Sequence, residues 1–286
     1  MKELVIVSGK GGTGKTTITA SFSVLADKVI VADCDVDAPD LHLLLHPELI
    51  KKSEFKGSKA ALIDKIKCVE CNLCRENCRF DAVSDDFIVE PHSCEGCGVC
   101  ALICPVKAIE MKQKVSGNIY LSKIENGFMS HAMLDPGEEN SGKLVTFVRD
   151  QAKEVAASKK VEKIIIDGAP GISCPVISSI TGTSAGVIVT EPTVSGVHDL
   201  KRILELMEHF RIKPFILINK FDINIDKTKE IEDFCHLKNY EVVGKIPFDP
   251  SVTNAMVNGE PVVKFVPDSK VSKEIKRVWE KVSKIF

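Results

Sequence analysis

The sequence predicts an α/β fold, in which a doubly wound, mainly parallel sheet is interrupted by a small, cysteine-rich α+β insert. Two observations lead to this prediction. Short apolar runs rich in β-branched residues recur along the chain, and segments with helical periodicity separate them. Between residues 64 and 111 this alternation stops and cysteines become frequent. Continuous apolar runs fit strands buried on both faces of a parallel sheet, so the alternation indicates strands covered by helices.

The elements are predicted in order along the chain. The predicted strands are residues 4–7, 29–32, 163–167, 185–190, 214–218 and 242–246. Two helices are predicted from apolar residues that share one face, at residues 143–157 and 198–210. Weaker patterns predict connectors with some strand content at residues 46–63 and 111–142.

The insert sets the predicted domain boundaries. Strands resume after the cysteine-rich stretch, so one domain surrounds the insert in sequence. We predict a discontinuous outer domain at residues 1–60 and 112–286 and an inserted domain at residues 61–111.

Composition and charge exclude several classes of protein. Apolar residues make up 44% of the 286 residues, and the formal net charge is −2. Nucleic-acid binding needs a concentrated positive face, so we expect no such partner. The first residues lack the features of a signal peptide, and no apolar run reaches the roughly 18 residues of a spanning helix. Eleven cysteines in such a chain predict metal ligation in the cytoplasm, not disulfides.

A phosphate-binding loop is predicted near the start of the chain. Residues 9–16, GKGGTGKT, satisfy the pattern G-x-x-x-x-G-K-[ST] directly after a strand and before a helix. Backbone N–H groups of such a loop converge on phosphates, and the helix N-terminus adds positive potential. Lys15 is expected to reach the β- and γ-phosphates and Thr16 to bind Mg²⁺. The predicted nucleotide-binding residues here are Gly9, Gly11, Gly12, Thr13, Gly14, Lys15, Thr16 and Thr17.

A second lysine lies inside this loop. With Lys10 in KGGTGKTT, the chain resembles the deviant Walker A ATPases of the MinD/Mrp/ParA family, which includes the nitrogenase iron protein. The resemblance implies an ATP-dependent homodimer in which Lys10 reaches the phosphates of the other subunit. A solvated loop charge is the alternative explanation of this lysine, and the family role is favoured.

Three acids follow predicted strands. Asp33 and Asp35 come after the second strand, and Asp167 ends the third in IIIDGAPG. Sites in open α/β sheets collect at the carboxyl ends of the strands, so these acids are expected beside the phosphate loop. The resemblance implies that Asp35 orients the attacking water, that Asp33 lies near Mg²⁺, and that Asp167 is the Walker B acid.

The base-binding end is predicted from NKFD and IPFDPSV. Asn219 is expected to read the base, and Pro247 lies in a loop that resembles the family's cover over the base. NKxD also resembles the guanine-reading motif of GTPases, in which Asp222 accepts hydrogen bonds from the base. We favour ATP from the family resemblance and leave GTP open.

The cysteines of the insert repeat with a period of 26. C-x2-C-x2-C-x3-C occurs twice, and proline follows the second copy while Arg79 follows the first. This resembles the bacterial two-cluster ferredoxin, in which the fourth cysteine of each run ligates the other cluster. Zinc usually uses separated C-x2-C pairs and is disfavoured. The resemblance implies one [4Fe–4S] cluster on Cys68, Cys71, Cys74 and Cys104, and another on Cys94, Cys97, Cys100 and Cys78.

Three cysteines remain. Cys34 and Cys235 are predicted to pack in the core. Cys174 lies seven residues after Asp167, a spacing at which the nitrogenase iron protein has a cluster ligand. The second ligand of that protein is missing here, so a bridging or redox role and buried packing both stay open for Cys174.

The C-terminal segment, residues 268–286, is predicted to be an amphipathic helix. Its apolar face comprises Val271, Ile275, Val278, Val282 and Ile285. MinD proteins end in a membrane-binding helix, but a helix that packs on the sheet explains the same pattern and is favoured.

As a whole, the chain resembles MinD-superfamily ATPases with an inserted ferredoxin domain. The resemblance implies ATP, Mg²⁺ and two [4Fe–4S] clusters as cofactors, and ATP-driven electron delivery to, or maturation of, a metallocluster protein. The acidic insert favours a basic redox partner. Two alternatives are an Mrp-like cluster carrier and a MinD-like positioning ATPase with structural or sensing clusters.

Overall fold

A computed structural model describes residues 1–138, 142–284 and 286. These residues form two compact units. The first comprises Met1–Lys52, Ile119–Met133 and the described part of Asn140–Phe286, and the second comprises Ser53–Asn118 and the described part of Leu134–Glu139.

The strands and helices of the described residues are as follows. The strands are β1 (Lys2–Ser8), β2 (Val29–Asp33), β3 (Glu48–Phe55), β4 (Ser58–Ile63), β5 (Ile109–Lys114), β6 (Gly117–Ile124), β7 (Gly127–Leu134), β8 (Lys163–Pro170), β9 (Ala185–Thr190), β10 (Lys213–Asn219) and β11 (Glu241–Ile246). The helices are α1 (Lys15–Leu25), α2 (Leu41–Leu45), α3 (Leu73–Glu76), α4 (Val99–Ile103), α5 (Gly142–Lys159), α6 (Cys174–Ile180), α7 (Val194–His209), α8 (Ile225–Leu237), α9 (Pro250–Val257), α10 (Val262–Phe265) and α11 (Lys270–Val282).

The main sheet has the order β11-β10-β9-β1-β8-β2-β7-β6-β3. Its central strands are parallel: β1 pairs with β8 and β9, β9 with β10, and β2 with β8. These strands are almost wholly buried, as their continuous apolar runs require when helices cover both faces. The predicted mainly parallel α/β sheet is confirmed, together with all six predicted strands and the helices at residues 143–157 and 198–210.

The two weakly patterned connectors contain more strand than predicted. Residues 46–63 contain all of β3 and β4, and residues 111–142 include β6 and β7. Much of β3 is exposed, so its sequence lacks the apolar run that marks the central strands. Residues 139–141 of the second connector lie outside the described residues.

The C-terminal helix α11 packs in the core of the first unit. Val271, Ile275, Val278 and Val282 are buried on one face, as predicted for a helix on the sheet. The Trp279 ring lies 5.1 Å from that of Phe22 in α1. The core prediction is therefore confirmed and the membrane-helix alternative is wrong, while Ile285 lies outside the described residues. No helix in the described part of the chain has the length and apolar composition to cross a membrane.

The second unit repeats its backbone conformation with the period of its cysteines. β4 and β5 form an antiparallel pair, and the short helices α3 and α4 pack on each other. Left-handed backbone conformations recur 26 residues apart, at Glu70 and Gly96, Asn72 and Gly98, and Asp81 and Lys107. Residues 53–60 and 112–118, predicted in the outer domain, belong to this unit because they include parts of the paired strands.

Candidate functional site

The phosphate loop connects β1 to α1, and its conformation requires glycine. Gly12 and Gly14 have positive φ angles of 77° and 95°, which strain any residue with a Cβ. A Cβ on Gly14 would also lie 2.5 Å from Nδ2 of Asn219. The loop ends at the N-terminus of α1, so its N–H groups form an anion-binding site.

Lys15 begins α1 and pairs with an acid of the site. Its buried Nζ lies 3.5 Å from Oδ2 of Asp35. Burial raises the pKa of Asp35 to about 6, although the Lys15 charge opposes that rise. Lys15, predicted to reach the β- and γ-phosphates, and Asp35, predicted to orient the attacking water, are therefore adjacent.

Asp33 and Asp167 are buried acids at paired positions of the neighbouring strands β2 and β8. Oδ2 of Asp167 accepts a hydrogen bond of 2.8 Å from Thr16, and Oδ1 accepts one of 2.9 Å from Thr19. Oδ1 of Asp33 accepts a hydrogen bond from the Asp35 N–H, whereas its buried Oδ2 has no partner among the described residues. Burial raises the pKa of both carboxyls, and each pKa is raised further by a neighbouring acid. Unpaired buried oxygen and excess negative charge are properties of a cation site.

Asn219 and Asp222 lie at the predicted base-binding end. Nδ2 of Asn219 donates a hydrogen bond of 2.8 Å to the Thr13 carbonyl, which fixes the end of β10 against the phosphate loop. Oδ1 of Asp222 accepts a hydrogen bond of 2.7 Å from the Phe248 N–H, within the predicted covering loop. Pro247 is half-buried, and its neighbour Ile246 lines the cleft.

An open cleft of about 600 Å³ lies along the phosphate loop, and some of these residues line it. Predicted site residues on its wall are Gly11, Gly12, Gly14, Lys15, Thr16, Thr17, Asp35 and Asn219. Val252 and Met256 of α9 extend the wall with apolar side chains, which suits the face of a base. Gly9 lies beside it, where a Cβ would overlap the Cβ of Asp199.

Lys10 contacts Glu191 and Ser195, two residues that were not predicted from the sequence. Its Nζ lies 3.4 Å from Oε2 of Glu191 and donates a hydrogen bond of 3.2 Å to Oγ of Ser195. Lys220 donates to Oε1 of the same glutamate at 2.5 Å. Glu191 directly follows β9. It could therefore have been predicted, like Asp33 and Asp167, as an acid at the carboxyl end of a parallel strand.

The predicted cluster cysteines line two separate cavities of the second unit. The first cysteine cavity, of about 320 Å³, is lined by Cys68, Cys71, Cys74 and Cys104. The second cysteine cavity, of about 380 Å³, is lined by Cys78, Cys94, Cys97 and Cys100. Each set thus combines three cysteines of one run with the fourth of the other.

The lining of the first cavity is repeated in the second, which has four further lining residues, Asn77, Gly96, Gly98 and Met111. Every residue that lines the first cavity has a counterpart 26 positions away that lines the second. Backbone N–H groups repeat as well, since Ala82 donates to Sγ of Cys78 and Ala108 to Sγ of Cys104. Burial raises the pKa of Cys74 and Cys100, and the neighbouring thiols of the same cavity add to the rise.

These cavities do not have the geometry of a single-ion site. Among the described residues, no three His, Cys, Asp or Glu side chains are placed to hold one metal ion. In a four-iron cluster each thiolate binds a different iron, so the sulfurs surround a volume instead of meeting at a point.

The remaining cysteines differ in exposure. Cys34 and Cys235 are buried, as predicted, and burial raises the pKa of both thiols, that of Cys235 to about 11. Cys174 is exposed at the start of α6, so the packing alternative for this residue is wrong.

Comparison with known proteins identifies the family. Residues 4–262 match the CobQ/CobB/MinD/ParA nucleotide binding domain. An uncharacterised protein of Methanocaldococcus jannaschii is 34% identical over 291 residues, which cover 99% of this chain and 97% of that protein. The septum site-determining protein MinD of Synechocystis is 25% identical over 268 residues, which cover 91% of this chain and 81% of that protein.

A solved structure gives the same result for the fold. The septum site-determining protein MinD of Pyrococcus horikoshii, complexed with Mg-ADP, matches with a TM-score of 0.60 at 22% identity. The match covers 99% of this chain and 96% of that chain. The phosphate loop, the parallel sheet and the family match agree, and the chain belongs to the CobQ/CobB/MinD/ParA nucleotide-binding family.

Proposed function

We propose that the protein is an ATP-dependent iron–sulfur protein, in which ATP binding and hydrolysis drive electron delivery to, or maturation of, a metallocluster protein. The observation that carries this proposal is the pair of matched cysteine cavities in a chain that also holds a phosphate loop. The first unit is the proposed nucleotide-binding part and the second the proposed cluster-binding part.

The nucleotide site supports the hydrolytic half of the proposal. Thr16, Asp33 and Asp167 are the proposed Mg²⁺ group, because the unpaired Oδ2 of Asp33 and the crowded carboxyls favour a cation. Lys15 leaves Asp35 for the γ-phosphate. Asp35 is then free to orient the attacking water and to accept a hydrogen bond from it.

Adenine is the proposed base. Guanine recognition by NKxD requires that the Asp222 carboxylate accept hydrogen bonds from the base. One oxygen of this carboxylate, Oδ1, already accepts a hydrogen bond from the Phe248 N–H, which disfavours guanine. MinD of Pyrococcus horikoshii, of the same fold, was solved with Mg-ADP. Direct comparison of MgATP and MgGTP binding by calorimetry tests this choice.

A homodimer is the proposed active state, with Lys10 as the deviant Walker A lysine. Lys10 contacts Glu191 and Ser195 of its own chain. To reach a phosphate of the other subunit, Lys10 must leave Glu191. Glu191 then still pairs with Lys220, which balances the charge of the glutamate.

Two [4Fe–4S] clusters are the proposed occupants of the cysteine cavities. Thiolates suit sulfide-bridged iron, each cavity offers four, and backbone N–H groups already donate to two of the sulfurs. When bound, such clusters supply one-electron transfer. The surrounding side chains are mainly apolar. The proposed acceptor is a basic redox or metallocluster protein, with no nucleic acid involved.

A cluster carrier is the second candidate, and one observation favours it. Cys174 is exposed, so a pair of these thiols in a dimer is accessible to a labile metal or cluster. Cys174→Ala separates the two functions, because it abolishes cluster transfer by a carrier and leaves the two four-cysteine sites intact.

Metal analysis tests the proposal most simply. Protein purified without oxygen is expected to contain about eight iron and eight sulfide per chain, as two four-iron clusters require. Lys15→Ala is expected to lose MgATP binding and to keep this iron. An iron-free protein after anaerobic reconstitution would contradict the proposal.

A further inference from the structure

One of the matched residue pairs of the two cysteine cavities differs in charge. All eleven residues around the first cavity have a counterpart 26 positions away at the second. The apolar pairs stay apolar, as with Ile63 and Val89 or Leu73 and Val99. Only Val69 is replaced by a charged residue, Glu95.

The charge of Glu95 is not neutralised. Among the described residues, no hydrogen bond, ion pair or other interaction engages its side chain. The first cavity has a charge of the opposite sign nearby, because Lys65 Nζ lies 5.9 Å from the ring centre of Phe87, which lines that cavity. The electrostatic surroundings of the two cavities are therefore unequal.

We propose that Glu95 lowers the reduction potential of the cluster in the second cysteine cavity and so makes the two clusters inequivalent. This inference rests on the proposed function, since it needs both clusters. Reduction adds one electron and no atoms to a cluster, so the product carries one more negative charge. A neighbouring carboxylate disfavours that product through Coulomb repulsion.

The size of one side chain also differs between the two cavities and must be kept constant. Phe87 at the first cavity corresponds to Ala61 at the second. The test therefore has to change the charge without changing the volume, and Glu95→Gln does so.

The experiment is an anaerobic redox titration followed by EPR, on the wild-type protein and three variants. The SO₂ radical anion of dithionite supplies one electron per cluster and leaves as sulfite. In Glu95→Gln one midpoint potential is expected to move to more positive values while the other stays. Val69→Glu is the mirror variant and is expected to move the other potential to more negative values. Val69→Gln, which adds a polar group without charge, is the matched control and is expected to move neither potential.

Both positions tolerate these changes because Val69 is 59% exposed and Glu95 is also exposed. Two clusters whose potentials do not move in Glu95→Gln, or move together, would overturn the inference and leave the proposed function standing. Wild-type protein without either cluster would overturn the proposed function and the inference together. Glutamine and glutamate variants at Val69 with equal potentials would also contradict a role for charge.

Discussion

Asp33 and Asp167 occupy paired positions on the neighbouring parallel strands β2 and β8, and both side chains are buried. Two carboxyls in this arrangement repel each other when ionised, and burial adds a desolvation cost. The cation-free protein is therefore expected to be less stable than its packing alone implies. A bound Mg²⁺ removes the repulsion, which links cation binding to the stability of the nucleotide unit.

Asp33→Asn is expected to stabilise the nucleotide-free protein. The change removes one of two repelling carboxyls and keeps an acceptor for the Asp35 N–H. We expect the melting temperature to rise by about 2–4 °C, the effect of about 1 kcal/mol in a protein of this size. The stabilisation by MgATP is expected to shrink at the same time. Asp27→Asn, at an exposed acid, is the control, and a lower melting temperature in Asp33→Asn would contradict the account.

The stability of the nucleotide-free protein is expected to depend on pH through Asp35. Burial raises its pKa from an ordinary value of 3.8 to about 6. Between these values the folded protein binds more protons than the unfolded chain, so stability falls as the pH rises through this range. We expect the melting temperature to fall less steeply between pH 5 and pH 7 in Asp35→Asn than in the wild-type protein. An unchanged slope would assign the pH dependence to other groups.

Gly14→Ala is expected to lose both stability and nucleotide binding. The added Cβ meets a positive φ of 95° and lies 2.5 Å from Nδ2 of Asn219, whose hydrogen bond to Thr13 is then displaced. Strain of this kind costs about 1–3 kcal/mol. Gly11→Ala is the matched control, because nothing lies within 4 Å of its Cβ position. Equal melting temperatures in the two variants would contradict the loop geometry.

Double cysteine variants test which cysteines share a cluster. Cys68 and Cys104 line one cavity, so Cys68→Ala/Cys104→Ala is expected to keep about half of the iron. Cys94 and Cys104 line different cavities, so Cys94→Ala/Cys104→Ala is expected to lose nearly all of it. Iron analysis after anaerobic reconstitution measures both. The reverse pattern would mean that each cluster is held by one consecutive run.

The central sheet and the phosphate loop could be predicted because local patterns determine them. A strand buried on both faces needs a continuous apolar run, and a loop that surrounds phosphates needs glycines at set positions. The exposed strand β3 has neither signal. The same applies to residues 53–60, whose pairing partner in β5 is about fifty residues further along the chain.

Pairings between distant side chains could not be predicted. Lys10 could be located from the sequence motif, but its contact with Glu191 depends on the order in which β1 and β9 lie in the sheet. The exposure of Cys174 likewise depends on how α6 packs. By contrast, the 26-residue period is itself a long-range signal, which is why the grouping of the eight cysteines could be predicted from the resemblance.

The central claim, that one chain couples an ATPase to two iron–sulfur clusters, is tested most directly by EPR. The measurement uses anaerobic protein reduced with dithionite, alone and with MgATP or a non-hydrolysable analogue. The account predicts two interacting [4Fe–4S]⁺ signals that change in shape or midpoint potential when nucleotide binds. Two signals indifferent to nucleotide would contradict the coupling, and the absence of iron–sulfur signals from reconstituted protein would contradict the clusters themselves.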